Sequence, residues 1–295
     1  MALSLPLAKY FTSADGTSIY ADAQGNPSKP AIVLIHGFSL SSSSFDGLLE
    51  DDQLTENLYI IRYDVRGHGR SGMPTAEDAW ESKRLCEDFD AVVQGFKLHK
   101  PFVLGWSMGG THITDVLSFH PHSYISGIIY VSAIPFMGPI VAEVTTSSIL
   151  ALVPSLLQTT DVEAFQKVAL GFISLCSTTL PFAARQALLG DVMTQPRHIA
   201  ASVMTRTQDT AGLFKAGRSG LPLLALNAKL DQVVHGAKSV EAIAGWKNLQ
   251  VVELEKADHV AWLTQPNEFR ESLLTWIREQ DNIAGDVQTY QLASL

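Results

Sequence analysis

Four short apolar runs constrain the fold of this chain more than any other feature of its sequence. They cover residues 31–35, 58–61, 102–104 and 128–131, and stretches with helical spacing of apolar residues separate them. Strands that are buried on both faces read as continuous apolar runs, whereas half-exposed strands alternate apolar and polar residues. Strands alternating with helices indicate a parallel sheet with right-handed crossovers. We therefore predict an α/β fold, with helices on both faces of a mostly parallel sheet of about eight strands.

The rhythm of the sequence changes between Ile134 and about Thr205 and then resumes. Strand-like runs are absent from this segment, prolines interrupt its helical stretches, and it contains neither tyrosine nor tryptophan. We predict that residues 134–205 form an inserted helical cap. The core domain would then consist of residues 1–133 and 206–295, ending in a frayed C-terminal tail.

Composition limits the class of protein. The chain has 295 residues, of which 46% are hydrophobic, and this suits a large buried core. A net charge of -9 argues against a nucleic-acid surface. The sequence lacks both a run of about 20 apolar residues that could span a membrane and the pattern of a secretory signal. We therefore expect a cytoplasmic protein with no membrane span and no nucleic-acid partner.

A serine flanked by glycines stands at the end of the third apolar run. The segment Gly105-Trp106-Ser107-Met108-Gly109 leads from that run into a helical stretch. Such a turn strains the serine backbone, and a side chain at either glycine would collide with the neighbouring strand or helix. The G-x-S-x-G pattern alone is weak, but between a strand and a helix it is much more specific. We predict a serine hydroxyl raised above the sheet, near the positive end of a helix.

Two candidate partners for this serine follow the last two strand-like runs. Asp231 comes after the run 221–226, and His259 comes after the run 249–254. A serine hydroxyl needs a base to remove its proton and a third group to orient that base. Asp258 stands beside His259, but adjacent side chains normally point in different directions. We therefore expect Asp231 to be the carboxylate.

The sequence resembles the α/β-hydrolase superfamily over residues 8–280. Five ordered pieces carry the resemblance: His36-Gly37-Phe38, Asp64-Val65-Arg66-Gly67-His68-Gly69-Arg70-Ser71, the turn 105–109, Asp231 and His259. The resemblance implies a serine esterase or lipase fold with a helical cap. It makes Ser107 the nucleophile, His259 the general base and acid, and Asp231 the group that orients the imidazole.

The same resemblance implies an oxyanion hole formed by the backbone N–H groups of Phe38 and Met108. It gives His36 and His68 structural roles in holding loops together. No spacing of histidines and carboxylates indicates a metal site. We expect neither a metal nor a cofactor.

The substrate class is constrained by the nucleophile and by the candidate pocket. A serine at position 107 argues against the related epoxide hydrolases and haloalkane dehalogenases, which use aspartate. No arginine or lysine is placed to hold an anionic substrate. We expect a neutral, apolar ester or lactone of small to moderate size that is cleaved through an acyl-enzyme. Beside Phe38 and Met108, the pocket candidates are Trp106, Phe136, Phe172, Phe214, Val260 and Trp262. We expect about half of these candidates to be ordinary core residues.

Other readings of the same residues stay open at this point. Gly105-Trp106-Ser107-Met108-Gly109-Gly110 and His36-Gly37-Phe38 also resemble the cofactor-free haloperoxidase or perhydrolase group, in which peroxide replaces water. Cleavage of an activated C–C bond would use the same residues. A ligand receptor on this fold is an alternative of another class, and it would show one slow event or no turnover. The sequence does not indicate an oligomeric state.

Overall fold

A single eight-stranded sheet forms the centre of the molecule. The computed structural model describes residues 7–158 and 160–293. The strands, in chain order, are β1 Leu7–Thr12, β2 Ser18–Gly25, β3 Ala31–Ile35, β4 Tyr59–Tyr63, β5 Phe102–Trp106, β6 Gly127–Val131, β7 Leu223–Ala228 and β8 Leu249–Leu254.

The order of the strands is β1-β2-β4-β3-β5-β6-β7-β8. Strand β2 pairs antiparallel with β1 and β4, and the remaining pairs are parallel. In register, Ile35 at the end of β3 faces Tyr63 on one side and Gly105 on the other. The carboxyl ends of the central strands therefore lie side by side, where ligands bind in sheets of this kind. The predicted fold class is confirmed.

Helices cover both faces of the sheet. Along β3, Ile32 and Leu34 pack in one apolar core, whereas Val33 and Ile35 pack in the other. This alternation explains why the strand sequences are apolar throughout. The helices are α1 Asp46–Leu49, α2 Asp52–Asn57, α3 Ser82–Gly95, α4 Gly109–Phe119, α5 Ile140–Val144, α6 Ser147–Gln158, α7 Val162–Cys176, α8 Phe182–Thr194, α9 Arg197–Met204, α10 Ala211–Arg218, α11 Gly236–Ala242, α12 Ala261–Thr264 and α13 Pro266–Ala293.

The segment between β6 and β7 is helical. It contains α5 to α9, followed by α10, and no strand lies there among the residues that are described. This is the arrangement expected of an inserted cap, although the division into domains stays a prediction. The last helix, α13, runs from Pro266 to Ala293, and the frayed C-terminal tail stays a prediction.

Within residues 7–158 and 160–293, no helix combines the length and apolar character needed to cross a bilayer. The cytoplasmic location stays a prediction.

Candidate active site

The serine at position 107 occupies a strained turn between β5 and α4. Its φ is +53°, in the left-handed region that side chains rarely adopt. The flanking glycines are required by space: a Cβ at Gly105 would lie 2.6 Å from the Gly110 Cα, and one at Gly109 would lie 2.2 Å from the Ile35 carbonyl oxygen. The Ser107 N–H donates to the Val131 carbonyl over 3.0 Å, so the turn is tied to the neighbouring strand β6. Strain maintained by such surroundings is typical of a functional position.

The predicted histidine and aspartate meet beyond the ends of β7 and β8. His259 Nδ1 lies 2.8 Å from Asp231 Oδ2, and both side chains are 2% exposed. A carboxylate at this distance accepts the Nδ1 proton, which leaves Nε2 of the neutral imidazole as an acceptor. The indole Nε1 of Trp106 donates to the His259 carbonyl over 2.8 Å. The residue next to Ser107 therefore holds the histidine loop in place.

The Asp231 carboxylate is itself fixed by its own loop. Its Oδ1 accepts hydrogen bonds from the backbone N–H groups of Val233 and Val234, at 2.7 and 3.0 Å. Burial acts to raise the pKa of this carboxyl, whereas the charge and the hydrogen bond of His259 act to lower it. The lowering effects are together the larger, so the pKa lies below its ordinary value. Asp231 is thus an oriented anion that can stabilise an imidazolium.

The alternative carboxylate, Asp258, has different partners. Its Oδ1 accepts from the Val260 N–H at 3.2 Å and from the Thr264 hydroxyl at 3.1 Å. These bonds cap the turn into α12. The geometry therefore pairs His259 with Asp231, as the sequence led us to expect.

The two proposed oxyanion donors flank the serine. In the described part of the chain, neither the Phe38 nor the Met108 N–H donates to a protein acceptor. The loop that carries Phe38 lies against Ser107, because a Cβ on Gly37 would come within 3.2 Å of the Ser107 Cβ. Two unoccupied donors beside a serine can bind a developing oxyanion.

The histidines of the sequence motifs lie inside the loops behind this site. His36 Nε2 accepts from the Val65 N–H at 3.0 Å, and Nδ1 lies 2.9 Å from the Gly37 carbonyl. His68 Nδ1 lies 3.0 Å from the Arg66 carbonyl. Burial lowers the pKa of His36, and burial together with nearby His36 lowers the pKa of His68 to about 3. Both are neutral side chains that join loops, as expected.

The apolar candidates fall into two groups. Trp106, Val260 and Trp262 are buried at 3% exposure or less and pack in one core beneath the site. Phe172 of α7 contacts Phe38, with ring centroids 6.3 Å apart.

The remaining aromatic candidates pair with one another. The rings of Phe136 and Phe214 are 5.9 Å apart, and Phe214 also lines a surface pocket of 160 Å³ with Trp246. Their contact with a substrate, like that of the other candidates, stays a prediction.

A methionine-rich cluster on the other side of Phe38 escaped the sequence analysis. It joins the oxyanion loops to α9 and consists of Ala79, Trp80, Met108, Met137, Ile199 and Val203, with Phe38, Met73, Val141 and Met204 packed against it. These residues are far apart in the sequence, and only the apolar character of the cap segment hinted at them. Methionine side chains adapt their shape readily, so this cluster can yield to an apolar group.

Polar residues in the cap segment and directly after it were missed for the same reason. Asp191, Gln195 and Arg206 each bond to a loop or helix of the sheet domain. Each contact spans more than ninety residues of sequence, as the closest pair, Arg206 and Asp115, shows with a separation of 91. No local pattern could have revealed them.

One group of side chains has the donor types that metals prefer. Ligand atoms of Cys86, Asp90 and His120 lie within 4.8 Å of one another. Asp90 Oδ1 lies 2.8 Å from His120 Nε2 and accepts the Tyr124 hydroxyl over 2.7 Å. Burial raises the pKa of the Cys86 thiol, and a metal needs the thiolate. The carboxylate is satisfied by hydrogen bonds, and the absence of a metal stays a prediction.

Comparison with known proteins identifies related chains. A family model described as "alpha/beta hydrolase fold" matches residues 30–266. "Probable oxidoreductase EphD" of Mycobacterium tuberculosis is 34% identical over 118 residues, which are 40% of this chain and 20% of that protein. This chain therefore matches only a fifth of that relative's length.

Two further relatives carry esterase names. "Bifunctional esterase/perhydrolase DCH" of Acinetobacter calcoaceticus is 29% identical over 126 residues, covering 43% of this chain and 45% of that protein. The crystal structure of the esterase RhEst1 from Rhodococcus sp. ECU1013 superposes with a TM-score of 0.83 and 26% identity, over 92% of this chain and 98% of that one.

Proposed function

This chain belongs to the α/β-hydrolase fold family, and from that premise we propose that it is a serine hydrolase acting on a small neutral, apolar carboxylic ester or lactone. One observation carries the proposal. The strained Ser107 follows Trp106, whose indole binds the loop of His259, and the His259 ring is bonded to the buried Asp231. A serine, a base and an orienting carboxylate in this order are the parts that acyl transfer needs.

The proposed reaction proceeds through an acyl-enzyme. His259 Nε2 takes the hydroxyl proton as Ser107 Oγ attacks the ester carbonyl, and the same proton then passes to the leaving alcohol. Asp231 stabilises the imidazolium between these steps. Water, deprotonated by His259, then attacks the acyl group and releases the acid. The N–H groups of Phe38 and Met108 would bind the oxyanion in both halves of the reaction.

The apolar surroundings support a neutral substrate. Phe38 packs against the methionine-rich cluster and also contacts Phe172, so apolar side chains lie on two sides of the oxyanion loop. An ester with a free carboxylate would lose its hydration here without gaining an ion pair. The esterase names of DCH and RhEst1 support an ester as the substrate.

A second candidate function follows from the match to a protein named as an esterase and perhydrolase. Hydrogen peroxide would replace water as the attacking group on the acyl-enzyme and release a peracid. Peroxide-dependent bromination in the presence of acetate separates this activity from simple hydrolysis.

The deciding experiment is steady-state hydrolysis of p-nitrophenyl acetate, butyrate and octanoate. We expect saturable turnover by the wild type and a fall in kcat of about 10⁴-fold or more in Ser107→Ala. Ser118→Ala on α4 is the matched control, because its hydroxyl bonds only to carbonyl oxygens of Thr114 and Asp209. A folded wild type with no turnover, or with one slow acylation event, would contradict the proposal and favour a receptor.

A further inference from the structure

The loop that carries the oxyanion donor Phe38 is held by a side chain of the cap segment. The hydroxyl of Ser39 donates to Gln195 Oε1 over 2.5 Å, and both residues are at most 6% exposed. At its other end, the Gln195 amide Nε2 donates to the Gly67 carbonyl over 2.9 Å. One glutamine, located between α8 and α9, therefore bridges the two loops that follow β3 and β4.

Ser39 needs such a partner because its backbone is strained. Its φ is +55°, and it is one of five described non-glycine residues with positive φ. A β-carbon in this conformation is unfavourable, so the loop persists only where contacts enforce it. Ser39 is also the immediate neighbour of Phe38. Relaxation at Ser39 would turn the Phe38–Ser39 peptide and shift the Phe38 Cα, and through it the Phe38 nitrogen that carries the proposed oxyanion N–H.

A second contact from the cap segment reaches the same loop two residues later. The hydroxyls of Ser41 and Ser43 donate to Asp191 Oδ2 over 2.9 and 3.2 Å. Burial, together with the nearby Asp64 carboxylate, raises the pKa of Asp191 to about 6. Arg70 is paired with Asp64 over 2.9 Å and balances its charge. At neutral pH Asp191 is therefore an anion that accepts both hydroxyl protons.

We propose that Gln195 is a positioning residue for the oxyanion hole, through which the cap segment sets the place of the Phe38 N–H. The inference rests on the proposed function, since it needs Ser107 to be a nucleophile. Oxyanion stabilisation depends on donors held within a fraction of an ångström. The oxyanion hole is then complete only when the cap segment is packed against the loop that carries Phe38.

The amide of glutamine is chemically suited to this position. It offers an acceptor to the Ser39 hydroxyl and a donor to the Gly67 carbonyl at once. A glutamate would keep the first bond but could not donate to Gly67. An alanine would lose both bonds and leave Ser39 without its partner. These variants remove the bridge in steps.

The test measures how fast Ser107 reacts with a fluorophosphonate. In this reaction the Ser107 Oγ–P bond forms, the P–F bond breaks, the hydroxyl proton goes to His259 and fluoride leaves. The phosphoryl oxygen occupies the oxyanion hole, so the rate reports on its donors without depending on the choice of ester. The kcat and KM for p-nitrophenyl acetate are measured beside it.

For Gln195→Ala we expect phosphonylation and kcat to fall about 10- to 100-fold, less than the loss of a complete donor in known hydrolases. KM should stay within about threefold, because a transition-state contact is affected. Ser39→Ala should give a similar fall, and the double variant should add little, because both changes break the same bond. Gln195→Glu should react no faster than Gln195→Ala, because a buried carboxylate oxygen would face the Gly67 carbonyl oxygen.

The matched control is Gln186→Ala, an exposed glutamine on α8, which should react like the wild type. Ser39→Ala serves as the second test if Gln195→Ala does not fold. Wild-type rates in both variants would overturn the inference while leaving the proposed function intact. A wild type that reacts with neither ester nor fluorophosphonate would instead overturn the proposed function, and the inference with it.

Discussion

At the scale of single residues, the two carboxylates near His259 differ in their hydrogen-bond partners. Asp231 is bonded to His259 Nδ1, whereas Asp258 caps the turn into α12. We predict that Asp231→Asn lowers kcat by about 10³- to 10⁴-fold, because an amide favours the wrong tautomer of the histidine. The measurement is ester hydrolysis across pH, with folding checked by circular dichroism.

The matched control for this prediction is Asp258→Asn. An asparagine oxygen can still accept from the Val260 N–H, so the turn should persist and kcat should change by less than about threefold. A large loss of activity in Asp258→Asn with little loss in Asp231→Asn would show that the carboxylate has been assigned to the wrong residue.

At the scale of elements, a buried ion pair joins α4 to the chain that follows α9. Arg206 donates through one guanidinium nitrogen to both oxygens of Asp115, at 2.6 and 2.7 Å, and through Nε to the Trp80 carbonyl at 2.8 Å. Gln208 adds a hydrogen bond of 2.6 Å to the same carboxylate. Asp115 has no exposed surface. This group therefore ties the chain at the end of the cap segment to α4, the helix that begins at the Ser107 turn.

Removing the arginine should therefore destabilise the protein strongly. We predict that Arg206→Met lowers the free energy of unfolding by about 3–5 kcal/mol, because an unpaired carboxylate stays buried. Urea denaturation measures the change. Arg218→Met replaces an exposed arginine at the end of α10 and should change stability by less than about 0.5 kcal/mol. Equal effects of the two substitutions would contradict the structural role of the pair.

The strands and the serine turn could be predicted from local sequence, because each depends on neighbours within a few residues. The apolar run before Ser107 and the glycines around it were sufficient to predict a strand, a strained turn and a helix. The order of the residues in the chain and the positions of the strand ends also sufficed to predict that Asp231 pairs with His259. Gln195 and Arg206 were not predictable, because their partners are set by how the cap segment packs on the sheet domain. A polar residue in a helical segment reads as exposed unless its distant partner is known.

At the scale of the whole molecule, buried histidines couple stability to pH. His36, His68 and His112 are each at most 3% exposed. Burial lowers the pKa of all three imidazoles below the ordinary value. The pKa of His68 falls to about 3. The pKa of His112 lies well below its ordinary value, and the charge of Arg206 adds to the effect of burial there. The folded chain keeps these imidazoles neutral at a pH where the unfolded chain protonates them. Their contribution to stability is therefore complete above about pH 6.5 and is lost as the pH falls.

Two buried carboxyls with raised pKa values act in the opposite direction. Burial raises the pKa of Asp88, and burial with the charge of Asp64 raises that of Asp191 to about 6. Each of these groups binds a proton in the folded chain before it does so in the unfolded chain, so each favours folding as the pH falls. With three histidines opposed by two carboxyls, unfolding near pH 5 should take up protons on balance, so the free energy of unfolding should fall as the pH falls.

Two substitutions should shift this slope in opposite directions. His68→Asn keeps a donor for the Arg66 carbonyl but removes one titrating imidazole, so the loss of stability between pH 6.5 and 5 should become shallower by about 1 kcal/mol per pH unit. Asp191→Asn removes an opposing carboxyl and should make the same loss steeper. Urea denaturation at half-unit intervals from pH 5 to 8 measures both. An unchanged slope in His68→Asn would mean that the folded chain already holds the proton on His68, and that the motif histidines are solvated despite their burial.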